Sequence, residues 1–199
     1  FEEVMRTTSE WKHLLHPNFK TAINISPRQL KHADLPFRIQ MVCNKYNVHP
    51  SQITLEVTET AIIEDQEIAL ESLRRLKRMG FTIALDDFGT GYSSLIYLKS
   101  MPINYIKIDR SFTENVVTIG EDAKIVSSVI QLATALGFGV VAEGVENEKI
   151  RDWLMEHNCF VQQGYFFYHP MQQRDFKALL ESMNAFPKVV SITGGKPQI

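Results

Sequence analysis

The sequence predicts an α/β fold in which parallel strands, each followed by a helix, form a barrel. Six short strand patterns alternate with helical segments along the 199 residues, and such alternation is typical of parallel βα units. Four strands carry aliphatic side chains on one face and small or polar ones on the other. A strand buried on both faces reads as a continuous apolar run, so the divided faces favour a barrel with a polar lumen. The chain is short for an α/β barrel, which takes about 250 residues.

The composition is that of an ordinary globular domain. The chain is 44% hydrophobic and 22% charged, with a formal net charge of −2, which argues against disordered, collagen-like and disulfide-rich classes. A nearly neutral chain lacks the basic field that nucleic-acid binding needs, so no DNA or RNA partner is expected. Cys43 and Cys159 form no C-x-x-C motif, and no apolar run reaches the roughly 18 residues of a membrane span.

In the first half of the chain, helical spacing of apolar residues predicts the helices, and proline and glycine mark their ends. Alternation of apolar and polar residues predicts the strands. In order, the expected elements are a helix over 1–16, a strand over 19–26, a mainly helical stretch over 27–46 broken near Pro36, a strand over 53–59, a helix over 61–79 followed by Gly80, and a strand over 81–88.

The second half continues the same alternation. A glycine-containing loop follows the third long strand, and the residues from 184 to 199 are expected to be a loosely ordered tail or a connection to another segment. In order, the expected elements are a short helix ending at Pro102, a strand over 105–109, a helix over 121–136 stopped by Gly137, a strand over 139–143, a helix over 147–158, a strand over 160–167 and a helix over 174–183.

Polar side chains recur at the C-terminal ends of the predicted strands, where α/β barrels carry their chemistry. Since successive side chains alternate across a strand, residue parity places most of them opposite the aliphatic face. One charged residue there is usually a solvated rim group, but a convergent set favours a site, and oxygen ligands suit Mg²⁺ or Mn²⁺. The set comprises Asn24, Glu56, Asp86 and Lys107, with Glu143 and Gln163 near the ends of the last two strands.

Asp86 and Asp87 are consecutive, so a regular strand cannot direct both side chains into the lumen. Asp87 is therefore expected on the turn after the strand, reaching over the mouth of the barrel. Adjacent carboxylates repel each other, and a cation would relieve that repulsion. One carboxylate bridging two ions is the arrangement expected of a two-metal phosphodiester hydrolase. The alternative is that Asp87 caps the following turn.

A series of motifs, taken in chain order, closely resembles the EAL domain family of bacterial cyclic di-GMP phosphodiesterases. The resemblance runs from about residue 1 to residue 183, and the DDFGTGYSSL string is its most specific part. The motifs are Asn24 in NIS, the EVTE of 56–59, the DDFGTGYSSL of 86–95, the KID of 107–109, the EGVE of 143–146 and the QGY of 163–165.

The resemblance implies a modified TIM (β/α)8 barrel that hydrolyses cyclic di-GMP to linear pGpG with Mg²⁺ or Mn²⁺, two ions being expected. It also implies a homodimer, a cytoplasmic location and regulatory domains outside this chain. The implied metal ligands are Asn24, Glu56, Asp86 and Asp87.

The resemblance assigns roles to the remaining motif residues as well. Lys107 would position the attacking water and offset charge on the phosphate. Glu143 would act as an acid/base or water-orienting group, with Glu146 and Gln163 supporting it. Glu59 would hold the loop after Asp87.

The tripeptide Glu-Ala-Leu that names the family does not occur in the 199 residues. The family pattern would place it upstream of Phe1, so six βα units are expected, with the first two strands missing from the chain. This departure keeps a second hypothesis open, a catalytically inactive module that senses cyclic di-GMP or binds a protein partner. A third hypothesis is a different barrel metallohydrolase.

Overall fold

In the part of the chain that the structure describes, six parallel strands form one sheet whose spatial order follows the chain order. The computed structural model describes residues 1–89 and 95–185, so Thr90 to Ser94 of the DDFGTGYSSL motif and the tail from 186 onward lie outside the described residues. The expected series of six βα units is confirmed. The strands are β1 (Thr21–Asn24), β2 (Ile53–Thr58), β3 (Thr82–Phe88), β4 (Tyr105–Ile108), β5 (Gly139–Ala142) and β6 (Val161–Gln162).

Helices connect and flank these strands, together with a 3-10 turn at Pro50–Gln52. Within the ranges 1–89 and 95–185, no helix is long and apolar enough to cross a membrane. The helices are α1 (Glu2–Glu10), α2 (Pro27–Leu30), α3 (Leu35–Tyr46), α4 (Glu59–Ile63), α5 (Gln66–Arg78), α6 (Leu95–Ser100), α7 (Arg110–Thr113), α8 (Gly120–Leu136), α9 (Glu148–Glu156) and α10 (Gln173–Ala185).

The aliphatic faces of the central strands pack against the helices, as the residue parity predicts. Leu55 of β2 and Leu85 of β3 are fully buried and belong to one apolar cluster with Leu73 and Leu76 of α5. The opposite faces hold the polar set, of which Glu56 is half-buried. Burial of the aliphatic side chains supplies the main stabilisation of the sheet, and it fixes the polar residues on the face away from the helices.

The structure corrects two of the predicted helical stretches. The stretch over 27–46 is interrupted between Leu30 and Leu35, and Pro36 stands in the first turn of α3 rather than at the break. Proline suits that position because the first amides of a helix have no intrahelical acceptor. The single helix expected over 61–79 is two helices, α4 and α5, which meet at Glu64 and Asp65.

Other boundaries also differ from the sequence prediction. The first helix ends at Glu10 instead of His16, and the following residues form tighter turns, as in the bond from the Leu14 amide to the Trp11 carbonyl (2.7 Å). The strand expected over 160–167 is only Val161–Gln162. The Gln163 amide still bonds to the Ala142 carbonyl of β5 (2.8 Å), but the amides of Phe167 and Tyr168 bond to the Gly164 carbonyl and form a turn. Residue 109 leaves β4 and caps α7, a short helix that the sequence prediction missed.

The predicted end of α8 is confirmed. Gly137 follows Leu136 with a left-handed backbone (φ +78), and its amide donates to the carbonyl of Thr134 (3.0 Å). Glycine adopts this conformation without the steric penalty that a Cβ atom brings. The turn at Gly137 leads the chain directly into β5 and so helps to position that strand.

Candidate active site

A buried lysine at the centre of the sheet holds three carboxylates around its ammonium group. Lys107, in β4, is 4% exposed. Its Nζ atom lies 2.8 Å from Asp86 Oδ1, 2.8 Å from Glu143 Oε1 and 3.0 Å from Glu56 Oε2. The three partners come from β3, from the residue after β5 and from β2. The structure thus brings together four of the residues that the sequence places on the polar face.

The strand register explains this convergence. Ala84 of β3 is level with Glu56 on one side and with Tyr105 on the other. Asp86 and Lys107 each stand two residues farther along their strands, so they share the face of Glu56. The carboxyl ends of parallel strands meet at one end of the sheet, which is where the four side chains gather.

Glu143 reaches the same point from just beyond β5. Val141 is level with Lys107, and Glu143 follows Val141 by two residues. The Glu143 amide donates to the carbonyl of Ile108 (3.1 Å), which continues the sheet pairing past the end of the strand. The backbone of Glu143 is therefore anchored to β4, and its side chain points back to Lys107.

The structure corrects the position expected for Asp87. It lies inside β3 rather than on the turn after it, and its backbone is left-handed (φ +54). The pairing of β3 with β4 shifts by one residue between Leu85 and Phe88, which marks a β-bulge. A bulge adds one residue to a strand and redirects its side chain. The Asp87 amide donates to Asp86 Oδ1 (3.1 Å), so the two aspartates lie side by side.

Carboxylate oxygens of Asp86, Asp87 and Glu143 lie within 4.8 Å of one another. All three residues are half-buried. This separation allows oxygen atoms from three side chains to contact one cation, and a hard divalent ion prefers such ligands. The bulge is what makes the cluster possible, because a regular strand would have turned Asp87 to the opposite face.

The lysine remains charged in spite of its burial. Desolvation lowers the pKa of Lys107, but the hydrogen bonds to Asp86 and Glu143 and the charge of Glu56 outweigh that effect and raise it above its ordinary value. The ammonium is therefore a fixed positive charge at the centre of the site.

Two carboxylates titrate at higher pH than usual. Burial raises the pKa of Glu143; the hydrogen bond and the charge of Lys107 oppose that rise, and the charges of Asp86 and Glu56 add to it. Burial also raises the pKa of Asp87, together with the charges of Asp86 and Asp109, and Lys107 offsets this only in part. In both groups burial is the largest cause of the raised pKa, and neighbouring carboxylates add to it.

The donor set fits a divalent cation. Four carboxylates, those of Glu56, Asp86, Asp87 and Glu143, gather near one ammonium, and three of them are already bound to it. Buried negative charge of this kind requires compensation by a cation or by protons. All the donor atoms are carboxylate oxygens, which suit Mg²⁺ or Mn²⁺ better than a soft metal.

Two further sequence-predicted residues stand near this group without a described bond to it. Asn24 ends β1 level with Glu56, and its side chain is exposed, with no hydrogen-bond partner in the described part of the chain. Glu59 begins α4 just after β2 and is 3% exposed. Neither carboxylate oxygen of Glu59 has a hydrogen-bond partner within residues 1–89 and 95–185.

The two supporting residues implied by the resemblance lie on the loops beyond β5 and β6. Glu146 Oε1 pairs with Arg110 Nη2 at 2.8 Å. The carbonyl of Gln163 accepts a hydrogen bond from the Val145 amide (3.0 Å), while its side chain is exposed. Glu146 therefore links the loop after β5 to α7, and Gln163 holds the same loop at Val145. The roles of both residues stay predictions.

The sequence prediction missed Arg110 and the cap that precedes it. The carboxylate of Asp109 accepts hydrogen bonds from the amide (2.9 Å) and the hydroxyl (2.5 Å) of Ser111, which start α7. An acidic residue just before a helix is a known N-cap signal, and the four-residue spacing of Arg110 and Glu114 is a known ion-pair signal. The contact of Arg110 with Glu146 is long-range, and no local sequence pattern shows it.

Comparisons with known proteins agree with this geometry. The EAL domain pattern matches residues 1–170. RocR of Pseudomonas aeruginosa, named a cyclic di-GMP phosphodiesterase, is 38% identical over 176 residues, which cover 88% of this chain and 45% of RocR. The crystal structure of the EAL domain of Mycobacterium smegmatis DcpA is 34% identical with a TM-score of 0.86, covering 91% of this chain and 81% of that one.

A complex of Klebsiella pneumoniae BlrP1 with manganese and cyclic di-GMP is 30% identical with a TM-score of 0.75, and the match covers 82% of this chain and 41% of BlrP1. The chain spans less than half the length of the first curated relatives it matches. The solved neighbours confirm the fold class, a modified TIM-like barrel represented by six βα units. With its pattern matched over most of the chain, the protein belongs to the EAL domain family.

Proposed function

We propose that this domain hydrolyses cyclic di-GMP to linear pGpG with the help of divalent cations. The observation that carries the proposal is the site itself, in which Lys107 and a surplus of carboxylates meet at the carboxyl ends of parallel strands. RocR bears the name of such a phosphodiesterase, and the BlrP1 complex contains both the nucleotide and manganese. Family membership and the geometry of the site thus support the same reaction.

The cation would be held by Asp86, Asp87 and Glu143, whose oxygen atoms already lie together. Asn24 and Glu56 are the further ligands that the resemblance implies, and we propose two ions, Mg²⁺ or Mn²⁺. Bound divalent ions lower the pKa of water and neutralise phosphate oxygens. Without such neutralisation, the four carboxylates would repel an anionic phosphodiester.

Lys107 supplies the fixed positive charge that the reaction needs. Phosphodiester hydrolysis adds negative charge to the phosphoryl oxygens as the new bond forms, and a preorganised ammonium stabilises that charge without having to reorient. Asp86, Glu56 and Glu143 keep the ammonium in place through contacts of 2.8–3.0 Å.

Glu143 would accept the proton of the attacking water, in line with the acid/base role that the resemblance implies for it. The water oxygen bonds to phosphorus, the bond from phosphorus to the 3′ oxygen breaks, and that oxygen takes up a proton from solvent. A carboxylate with a raised pKa is a stronger base than an ordinary one, and the pKa of Glu143 is raised. The resemblance further implies a homodimer and regulatory domains elsewhere in the protein, and both stay predictions.

One experiment separates the enzyme from the two alternatives. Protein expressed from its full reading frame is incubated with Mn²⁺ and either cyclic di-GMP or bis(p-nitrophenyl) phosphate, products are separated by chromatography, and nucleotide binding is followed by calorimetry. The proposal predicts pGpG from cyclic di-GMP and much slower cleavage of the other ester. Tight nucleotide binding without turnover would contradict it in favour of a sensor. Cleavage of the unrelated ester alone would point to a different metallohydrolase.

A matched pair of variants ties turnover to the site. Lys107→Ala removes the central ammonium and is expected to lower kcat at least a hundredfold, in line with the loss of a main transition-state contact. Lys149→Ala removes an exposed lysine of α9 and is expected to leave kcat unchanged. Equal rates for the two variants would contradict the role given to Lys107.

A further inference from the structure

Arg110 lies outside the carboxylate cluster, yet it contacts the segment that presents Glu143. It is the first residue of α7, at the carboxyl end of β4, and its side chain is exposed. Arg110 Nη2 lies 2.8 Å from Glu146 Oε1, and Nε lies 3.0 Å from Glu114 Oε2. Its guanidinium therefore joins α7 to the loop that follows β5.

The stem of Arg110 contacts the same loop at a second point. Gly144 has a left-handed backbone (φ +69), and a Cβ atom built there would lie 2.4 Å from Arg110 Cγ and 3.1 Å from Arg110 Cα. Such distances are far shorter than any van der Waals contact, so the glycine backbone rests directly on the arginine. Arg110 thus touches the residue immediately after Glu143 with its stem and Glu146 with its charged end.

Other contacts fix the loop on both sides of Gly144. The Glu143 amide is bound to Ile108, and the Val145 amide to the carbonyl of Gln163 (3.0 Å). These bonds fix the backbone at two points. Arg110 contacts the loop at Gly144, which lies between these two points, and at Glu146, which follows them.

We propose that Arg110 is a positioning residue that holds Glu143 in its place in the metal and catalytic cluster, through Gly144 and Glu146. The proposal rests on the function proposed above for the site. Its physical basis is that a carboxylate serves a metal or a water only when its orientation is fixed, and removal of a group that orients a ligand typically lowers metal affinity or activity about 10- to 100-fold. The pair with Glu146 is exposed, and exposed pairs add little to folding stability, so the effect should appear in the site rather than in the fold.

The test compares Arg110→Gln and Arg110→Ala with Arg75→Gln. Arg75 is a matched control, since its side chain is 53% exposed against 52% for Arg110 and it also pairs with a glutamate four residues away. Four quantities are measured on protein from the full reading frame: Mn²⁺ affinity by calorimetry, kcat and KM for cyclic di-GMP, and the thermal midpoint. We expect about tenfold weaker Mn²⁺ binding and about tenfold lower kcat for both Arg110 variants, with KM and the thermal midpoint little changed.

The path through Glu146 is tested by a double-mutant cycle. If Arg110 acts through this pair, Arg110→Gln combined with Glu146→Gln should lose no more kcat or Mn²⁺ affinity than either single variant. Losses that multiply would overturn the proposed path. Unchanged Mn²⁺ affinity and kcat in Arg110→Ala, or equal losses in Arg75→Gln, would overturn the role of Arg110. A wild-type protein without turnover would contradict the proposed function, and the Mn²⁺ measurement would still decide the positioning role.

Discussion

At the scale of single residues, Lys107 is the positive charge around which three carboxylates of the site are arranged. A buried ammonium with three carboxylate partners is stable only as a group, because each charge compensates another. Asp87, brought beside Asp86 by the bulge, adds a fourth carboxylate that lies close to Asp86 and Glu143. The cluster therefore combines a fixed positive charge with unbalanced negative charge, which is a suitable arrangement for a cation and an anionic substrate together.

Replacement of Lys107 by methionine tests this account through stability. The variant Lys107→Met keeps the length of the side chain but leaves three partly buried carboxylates without their ammonium, so the free energy of unfolding should fall by about 3 kcal/mol in EDTA. Saturating Mn²⁺ should reduce the loss, because a bound cation would compensate the same carboxylates. Urea unfolding followed by tryptophan fluorescence measures both values.

The control for this prediction is Lys149→Met on the exposed face of α9, where the expected change is below about 0.5 kcal/mol. If Lys107→Met loses the same free energy in Mn²⁺ as in EDTA, the lysine stabilises the fold by packing alone, and its charge role is refuted.

At the scale of elements, the ends of helices and strands place the site residues. Gly137 ends α8 and starts the turn into β5, which carries Glu143 beyond its last residue. Gly120 begins the same helix, without a left-handed backbone. A Cβ atom built at either glycine meets nothing within 4 Å. The two glycines therefore differ in backbone conformation, but both have room for a Cβ atom.

Alanine substitutions at these two glycines test how much strain a Cβ atom causes in the left-handed backbone of Gly137. Gly137→Ala should lower the free energy of unfolding by about 1 kcal/mol, because a Cβ atom disfavours the left-handed conformation. Gly120→Ala should be neutral or slightly stabilising, since alanine restricts the unfolded chain more than glycine does. Denaturant unfolding of the two variants measures the difference, and equal stabilities would show that the turn at Gly137 can relax.

Sequence parity was sufficient to predict the faces of the strands and hence the meeting of Glu56, Asp86 and Lys107. Parity works because side chains alternate regularly across a strand. Parity failed at Asp87 because a bulge breaks the alternation there. No local sequence pattern predicts the extra residue in the strand. Parity also missed the contact of Arg110 with Glu146, which depends on how two loops pack in three dimensions.

At the scale of the whole molecule, the described βα units form a parallel sheet, and the carboxyl ends of its strands meet at a single site. The helices bury the aliphatic face of each central strand, and the opposite face carries the polar residues of the site. The fold and the site are thus two consequences of the same division of each strand into an aliphatic and a polar face.

The rate of pGpG formation as a function of Mn²⁺ concentration shows whether the carboxylate cluster is a metal-dependent active site. Protein from the full reading frame is compared with Asp86→Asn, which keeps the shape of the side chain but removes a charge from the cluster. We expect a rate that saturates with Mn²⁺, disappears in EDTA, returns when Mn²⁺ is restored, and falls at least about a hundredfold in Asp86→Asn. Turnover that persists in EDTA, or no pGpG from the wild-type protein at any Mn²⁺ concentration, would contradict it.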